Sequence, residues 1–180
     1  HILLDTYREE EYGGTQIGTT KKGIGPCYED KIARVGIRMI DLLNPTVLRE
    51  KIKKNLKVKN SLFEKYFEKP GLDEEEIYQE FLALGEKLKD RIVDTELEIN
   101  QAIADGKNIL FEGAQALMLD IDFGTYPYVT SSSPSTGGVC TGAGVPPTSL
   151  QNLIGVAKAY CTRVGNGPFP TELDNELGEN

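Results

Sequence analysis

The sequence predicts an α/β fold, in which a helical region is followed by a region of short strands and long loops. Apolar side chains recur at helical spacing through about residues 29–105. Shorter apolar runs follow in residues 106–180, and two of them lead into glycine-rich loops. Because ligands of α/β proteins bind at the carboxyl ends of strands, one binding site between these two loops is expected.

The first segment, residues 1–12, fits either a short strand or the end of a helix. The tract Ile17–Pro26 comes next and combines threonines and lysines with glycines. Such a composition lets N–H and O–H donors converge on a phosphate, although a solvated turn has the same composition. The tract does not match the Walker A phosphate loop, and neither does any other part of the chain.

Two helices are predicted next, on either side of a proline. The first runs from Glu29 to near Asn44, because the residue before a proline is disfavoured in a helix. Asn44 then caps a second helix, which has Pro45 at its first position. The lysines of this second helix are interpreted as a solvated face rather than a phosphate-binding one.

A third and longer helix is predicted from Asp73 onwards. Glu76 follows Asp73 by three residues, which is typical of a helix start. Asp105-Gly106 is the matching stop signal. At 1.5 Å per residue this helix is about 45 Å long, and we interpret it as a structural brace without chemistry.

The stretch from residue 108 to residue 138 carries most of the candidate site. Its apolar start, Asn108–Phe111, predicts a buried strand. Its end, Gly124–Gly138, is dense in serine, threonine and glycine, and fits either an anion-binding loop or a solvated one.

Two further elements are predicted after this stretch. Thr148 is expected to cap a short helix that ends at Leu153, and residues 156–164 are expected to be extended. The rigid turn Gly165–Pro170 then leaves Arg163 and Val164 at a strand end.

Several polar side chains in these loops are candidates for chemistry. Gln115 could contact a base edge or make a turn hydrogen bond. Glu112, Asp120 and Asp122 could form a carboxylate pair or a metal site, but no histidine lies near them. Loop-capping roles are therefore favoured and no metal site is predicted. His1 lies at a terminus, so a histidine base within this chain is not expected.

Composition limits the kinds of partner this chain can have. The net charge of −8 argues against binding nucleic acid, whose phosphates would be repelled. No signal peptide or transmembrane run is present, and three widely spaced cysteines favour a reducing cytoplasm. The chain starts at His1 inside an apolar run and ends at Asn180 in an acidic stretch, so both ends resemble cuts through a longer protein.

Three sequence motifs closely resemble adenylosuccinate synthetase. They are IGTTKKGIGPCYEDKIAR (17–34), LFEGAQALMLDIDFGTYPYVTSS (110–132) and AYCTRVGNGPFPTEL (159–173), and they occur in the order of that family. The resemblance implies a cytoplasmic homodimer that ligates L-aspartate to inosine monophosphate (IMP), using GTP and magnesium, on the way to AMP. It also implies that GTP first phosphorylates the purine 6-oxygen, and that the aspartate amine then displaces that phosphate.

The resemblance also implies roles for individual residues. Thr20 and Thr130 match threonines that bind the nucleotide 5′-phosphate, and Arg34 matches an arginine that reaches this phosphate from the partner subunit. Gln115 matches the glutamine at the reacting edge of hypoxanthine, where it supports catalysis. Leu119 and Val164 match apolar contacts to the nucleotide.

Several features of the family are absent from this chain. The N-terminal phosphate loop with its catalytic aspartate, the catalytic histidine, the aspartate-binding loop and the guanine-reading motif do not occur. The chain is therefore interpreted as residues 1–180 of a central portion, with no magnesium or GTP bound by this part alone and no activity in isolation. The implied fold is a partial P-loop-NTPase-like mixed sheet, with a helical insertion at about 29–105 and nucleotide-binding strands and loops at 106–180.

Two other functions remain compatible with the sequence. The chain could be a non-catalytic nucleotide-binding or dimerisation module that has lost its catalytic parts. Asp120 and Asp122 could alternatively serve a metal-dependent hydrolase.

Overall fold

Helices are the only regular secondary structure in the part of the chain that the structure describes. The structure is a computed structural model that describes residues 1–13, 17–163 and 165–179. The seven α-helices are α1 (Ile2–Glu11), α2 (Ile24–Ile32), α3 (Pro45–Lys65), α4 (Glu74–Leu88), α5 (Thr95–Ala104), α6 (Thr136–Ala143) and α7 (Glu176–Glu179). The described residues also form four 3-10 helices between them: Met39–Leu43, Lys89–Arg91, Leu117–Leu119 and Pro147–Ser149.

Helix α3 is the centre of the packed region. Its apolar side chains Leu48, Ile52 and Leu56 recur every fourth residue and are buried. They form one hydrophobic cluster with Leu42 and with Tyr78 of α4. One end of the helix is fixed as the sequence predicts, because the side chain of Asn44 accepts a hydrogen bond from Val47 N (3.2 Å).

A second hydrophobic cluster joins α3 to the start of the chain. Leu4 of α1 packs with Phe63 and Phe67, all of them buried. Asp30 of α2 ties the same region together, since its carboxylate accepts from Lys59 Nζ (2.8 Å) and lies 2.7 Å from His1 Nε2. Helices α1, α2 and α3 therefore form one packed unit.

The predicted mixed sheet is wrong, because none of the described residues belongs to a β-strand. Residues 108–111 make no backbone hydrogen bond to other described residues, and Leu110 is 85% exposed. The described part of residues 156–164 likewise lacks regular structure, and Val156 is 96% exposed. A strand needs a neighbouring strand to pair its backbone, and an apolar run does not reveal whether that neighbour exists.

The predicted helix from Glu29 to Asn44 is also wrong. Helix α2 begins earlier, at Ile24, and ends at Ile32. Arg34 then adopts a left-handed conformation with φ of 63°, and Val35 N donates to Asp30 O (3.0 Å). This is the usual geometry of a helix end, but glycine normally marks it in a sequence. Here arginine occupies the position, so the end was not predicted.

The predicted 45 Å brace consists of two helices. Asp73 caps the first of them as predicted, accepting from Glu76 N (2.8 Å), and the stop at Asp105 is also confirmed. Between them the chain forms the Lys89–Arg91 3-10 helix, and Asp94 caps α5 by accepting from Leu97 N (3.1 Å). An aspartate cap inside a helical pattern was the signal that the sequence interpretation missed.

Two smaller predictions after residue 130 need correction. The chain forms helix α6 inside the tract interpreted as a loop, and Gly144 with φ of 69° ends that helix. Thr148 does not start a helix to Leu153, since only the 3-10 turn Pro147–Ser149 forms there. Within the described ranges, no helix combines the length and apolar character needed to cross a membrane.

Candidate functional site

A cavity lies where three loop segments of the described chain meet. Its volume is about 230 Å³, and its walls come from residues 17–25, from residues 115–131 and from residues 163, 165 and 166, with Asp5 of α1 beside them. Sequence-predicted residues contribute to this lining: Thr20, Gln115, Leu119 and Thr130. The structure therefore brings four of the six predicted site residues to one cavity.

The first wall is held in place by two buried carboxylates of α1. Asp5 Oδ1 accepts from the Thr19 hydroxyl (2.9 Å), and Asp5 Oδ2 accepts from Gly23 N (2.9 Å). Glu9 Oε2 accepts from Gly18 N (3.1 Å) one helical turn further on. These bonds fix the loop on both sides of Thr20.

The Thr20 hydroxyl itself is available to a ligand. Thr20 is exposed, and its side chain makes no hydrogen bond within the described part of the chain. A hydroxyl offers one donor and two acceptor sites, so Thr20 can bind an anion or a neutral polar group.

The second wall is built around Asp120, which is fully buried. Its Oδ1 accepts from Asp122 N (2.9 Å) and Phe123 N (3.2 Å), and its Oδ2 accepts from the Ser133 hydroxyl (2.6 Å). The Ser133 hydroxyl and these backbone N–H groups lower the pKa of Asp120 from its usual 3.8. The favoured loop-capping role of Asp120 is therefore confirmed.

Thr130 lies on the same wall and is joined to Leu119 through the backbone. Thr130 N donates to Leu119 O (2.8 Å), and Ile121 N donates to Ser132 O (3.2 Å). Both side chains of the first pair line the cavity. The Thr130 hydroxyl makes no hydrogen bond to another described residue, so it too can bind a ligand.

Gln115 stands at a strained position of the second wall. Its φ of 66° lies in the left-handed region, which costs a residue other than glycine about 1–3 kcal/mol. Its side chain is exposed and makes no turn hydrogen bond with other described residues. The amide can therefore contact a ligand in the cavity.

The third wall contains a residue that the sequence analysis did not predict for the site. Arg163 lines the cavity and donates from Nη2 to Tyr128 O (3.1 Å) and to Asn166 O (3.1 Å). Its Nη1 also donates to the Thr125 hydroxyl (3.3 Å). The only sequence signal was its position just before a glycine turn, and backbone acceptors carry no signature of their own.

Two predicted site residues lie elsewhere. Arg34 is exposed beyond the end of α2 and does not line the cavity. Val164 lies outside the described residues. Glu112 and Asp122 are exposed, and no group of three metal-ligating side chains is found among the described residues.

The cavity combines threonine hydroxyls and a glutamine amide on loops that a helical body supports, which is typical of a protein that binds a small ligand. The chain belongs to the adenylosuccinate synthetase family, since the profile of that family matches residues 1–180. The resemblance inferred from the three motifs is confirmed.

Individual relatives support the same assignment. The adenylosuccinate synthetase of Oceanobacillus iheyensis is 56% identical over 178 residues, and that of Bacillus licheniformis is 55% identical over 179 residues. A solved structure described as fully ligated adenylosuccinate synthetase from Plasmodium falciparum is 44% identical and superposes with a TM-score of 0.91. Each comparison covers 99% of this chain and 42% of the relative, so the chain spans less than half of their length.

Proposed function

We propose that this chain is the IMP-binding central part of an adenylosuccinate synthetase. The full-length enzyme would use GTP to ligate L-aspartate to IMP, giving adenylosuccinate, GDP and phosphate in AMP biosynthesis. The observation that carries this proposal is that Thr20, Gln115, Leu119 and Thr130, which come from distant parts of the sequence, line one cavity.

The chemistry of the cavity supports a distinct role for each wall. The free hydroxyls of Thr20 and Thr130 suit the 5′-phosphate, because phosphate oxygens accept hydrogen bonds from such donors. Gln115 would bind the hypoxanthine at its reacting edge, where a fixed amide dipole favours a developing oxyanion. Leu119, together with Val164, would supply apolar contacts to the nucleotide.

We propose that Arg34 acts on the partner subunit of a homodimer. Arg34 does not line the cavity of its own chain, and its side chain has no hydrogen-bonding or ionic partner within the described ranges. Large apolar side chains near it are exposed, namely Ile32, Ile37, Met39 and Ile40. Exposed apolar groups around an unpaired guanidinium fit a subunit interface.

Magnesium and GTP are proposed for the full-length protein rather than for this chain. The described residues offer no cluster of metal-ligating side chains, so they do not fit a magnesium site, and we assign no step to the ion here. The alternative of a metal-dependent hydrolase that uses Asp120 is not supported either. Three protein donors already bind this carboxylate, so it is not available to a metal ion. A cytoplasmic location is proposed with the function.

Alanine substitutions at the two threonines of the full-length protein test this function. Thr20→Ala and Thr130→Ala should each raise KM for IMP about 10- to 100-fold, because each removes a hydrogen bond to a charged phosphate. KM for GTP should change much less. Steady-state kinetics with IMP, GTP and aspartate each varied in turn would measure these effects.

Thr141→Ala is the matched control, because Thr141 is exposed on α6 and, among the described residues, its hydroxyl donates only to Gly138 O (3.4 Å). Its kinetics should equal those of the wild type. A wild-type protein that binds IMP without forming adenylosuccinate would support the non-catalytic alternative. Normal KM values in both threonine variants would contradict the proposed site.

A further inference from the structure

Arg163 connects segments that are far apart in the sequence. Its guanidinium donates to the Thr125 hydroxyl (3.3 Å) and to Tyr128 O (3.1 Å) on one segment. On its own turn, Nε and Nη2 donate to Asn166 O at 3.2 and 3.1 Å. One side chain thus joins the second and third walls of the cavity.

Each joined segment leads to a proposed phosphate-binding threonine, one along the chain and the other through a contact. Tyr128 precedes Thr130 by two residues, and the Thr125 hydroxyl reinforces this turn by donating to Tyr128 O (3.2 Å). On the other side, Asn166 touches the loop of Thr20, since a Cβ built on Gly18 would lie 3.0 Å from Asn166 N. Arg163 is therefore placed between the two threonine loops.

The chemistry of this junction requires arginine. All its acceptors are neutral oxygens in different directions, and a planar guanidinium with five N–H donors can reach them together. A lysine ammonium keeps the charge but cannot reproduce this fork. No carboxylate forms an ion pair with Arg163 among the residues the structure describes, so its role differs from that of a salt-bridge partner.

We propose that Arg163 is a positioning residue for IMP, which sets the separation of the Thr20 and Thr130 hydroxyls by holding the 125–130 segment against the 165–166 turn. This inference rests on the proposed function of the cavity. It assigns Arg163 no contact with the reacting atoms. Its effect on IMP passes through the two loops.

The experiment uses full-length protein with Arg163→Lys, and with Thr125→Val as a milder second variant. Arg163→Lys should raise KM for IMP about 10-fold, while KM for GTP and kcat stay within about 2-fold. Thr125→Val removes one acceptor of the fork and should raise KM for IMP less. Arg91→Lys, at an exposed 3-10 position away from the cavity, is the matched control and should change nothing.

A double variant distinguishes a positioning role of Arg163 from general structural support. Adding Thr130→Ala to Arg163→Lys should raise KM for IMP by less than about 3-fold beyond Arg163→Lys, because the hydroxyl is already misplaced. Melting temperatures identify any variant that fails to fold. If Arg163→Lys does not fold, the kinetics of Thr125→Val test the positioning role instead. An unchanged KM for IMP in the folded variant, or fully additive effects with Thr130→Ala, would overturn the inference.

The experiments distinguish a failure of the proposed function from a failure of the inference about Arg163. Wild-type protein that neither binds nor converts IMP would overturn the function, and the inference about Arg163 with it. A normal wild type combined with unaffected Arg163→Lys kinetics overturns only the inference.

Discussion

At the scale of single residues, buried carboxylates determine the shape of the cavity. Asp5 fixes the loop that carries Thr20, and Asp120 fixes the turn beside Leu119. Each accepts hydrogen bonds from loop donors, in a region where the described residues form no strand ladder to organise the backbone. The hydroxyls that face the cavity are consequently left available to a ligand.

Asp120→Asn should lower the melting temperature of the protein by about 3–6 °C. An amide can present only one acceptor oxygen, so it cannot accept from Ser133 and from the backbone N–H groups of Asp122 and Phe123 together. Thermal unfolding followed by circular dichroism measures the change. Asp122→Asn is the matched control, because the Asp122 side chain is exposed, and it should melt with the wild type.

The same variant has a predicted pH dependence. Because folding lowers the pKa of Asp120, its contribution to stability is complete above the usual value of 3.8 and is lost as pH falls through the lowered pKa. The difference in unfolding free energy between wild type and Asp120→Asn should therefore narrow below about pH 4. A difference that stays constant down to pH 2 would contradict the role of the ionised carboxylate.

The site residues differ in how far the sequence could predict them. Thr20 and Thr130 could be singled out because each lies in a glycine-rich loop and each matches a threonine in the motifs of the family. Arg163 could not, because its partners are backbone carbonyls and a hydroxyl that only the fold brings near it. Asp5 was missed for the same reason, since its role depends on a loop that begins twelve residues later.

At the scale of helices, one close contact between two elements depends on a small residue. Gly85 of α4 lies against the Met39–Leu43 3-10 helix, and a Cβ at this position would lie 2.5 Å from Leu42 O. A backbone oxygen cannot move aside as a side chain can. Glycine is therefore required where α4 meets this segment.

Gly85→Ala should reduce the free energy of unfolding by about 1–3 kcal/mol through overpacking. Gly142→Ala in α6 makes the same chemical change where no heavy atom lies within 4 Å, so it should be neutral or raise stability by up to about 1 kcal/mol. Urea denaturation of both variants provides the measurement. Equal effects of the two substitutions would refute steric contact as the cause.

Elements were predictable from the sequence where local chemistry determines them. The caps at Asn44 and Asp73 follow from one side chain and one nearby N–H group, and both were predicted correctly. The break between α4 and α5 also depends on packing, because Ile92 turns towards the hydrophobic cluster of α3. The predicted strands are wrong because a strand needs a second segment with which to pair. An apolar run in the sequence gives no information about that second segment.

At the scale of the whole molecule, the described chain leaves much apolar surface uncovered. Exposed aliphatic side chains occur near Arg34 and again in residues 153–156. The chain also spans 42% of the length of its relatives. Under the proposed function, these surfaces would contact other parts of the full-length enzyme and a second subunit.

Mixed dimers test the proposed action of Arg34 on the partner subunit. Assayed at an IMP concentration near the wild-type KM, the full-length Arg34→Leu and Thr130→Ala homodimers should both show only a small fraction of wild-type activity. In a heterodimer both lesions fall in one site, so the other site is intact and about half of the wild-type activity should return. Activity of purified, differently tagged heterodimers measures this recovery.

Thr20→Ala paired with Thr130→Ala is the control for the mixed dimers. Both threonines serve the site of their own subunit, so each site keeps one lesion and activity should stay low. Heterodimers containing Arg34→Leu that remain as inactive as their parents would show that Arg34 does not act on its partner.

The close approach of Gly18 to Asn166 brings together residues near opposite ends of the chain. Closing so long a loop costs conformational entropy, and contacts of such long range are associated with slow folding. Gly18 and Asn166 both line the cavity, so a ligand bound there would favour the closed state by mass action, much as a cross-link does. Ligand binding in the cavity should therefore stabilise the contact between these two distant segments as well as the loops beside the ligand.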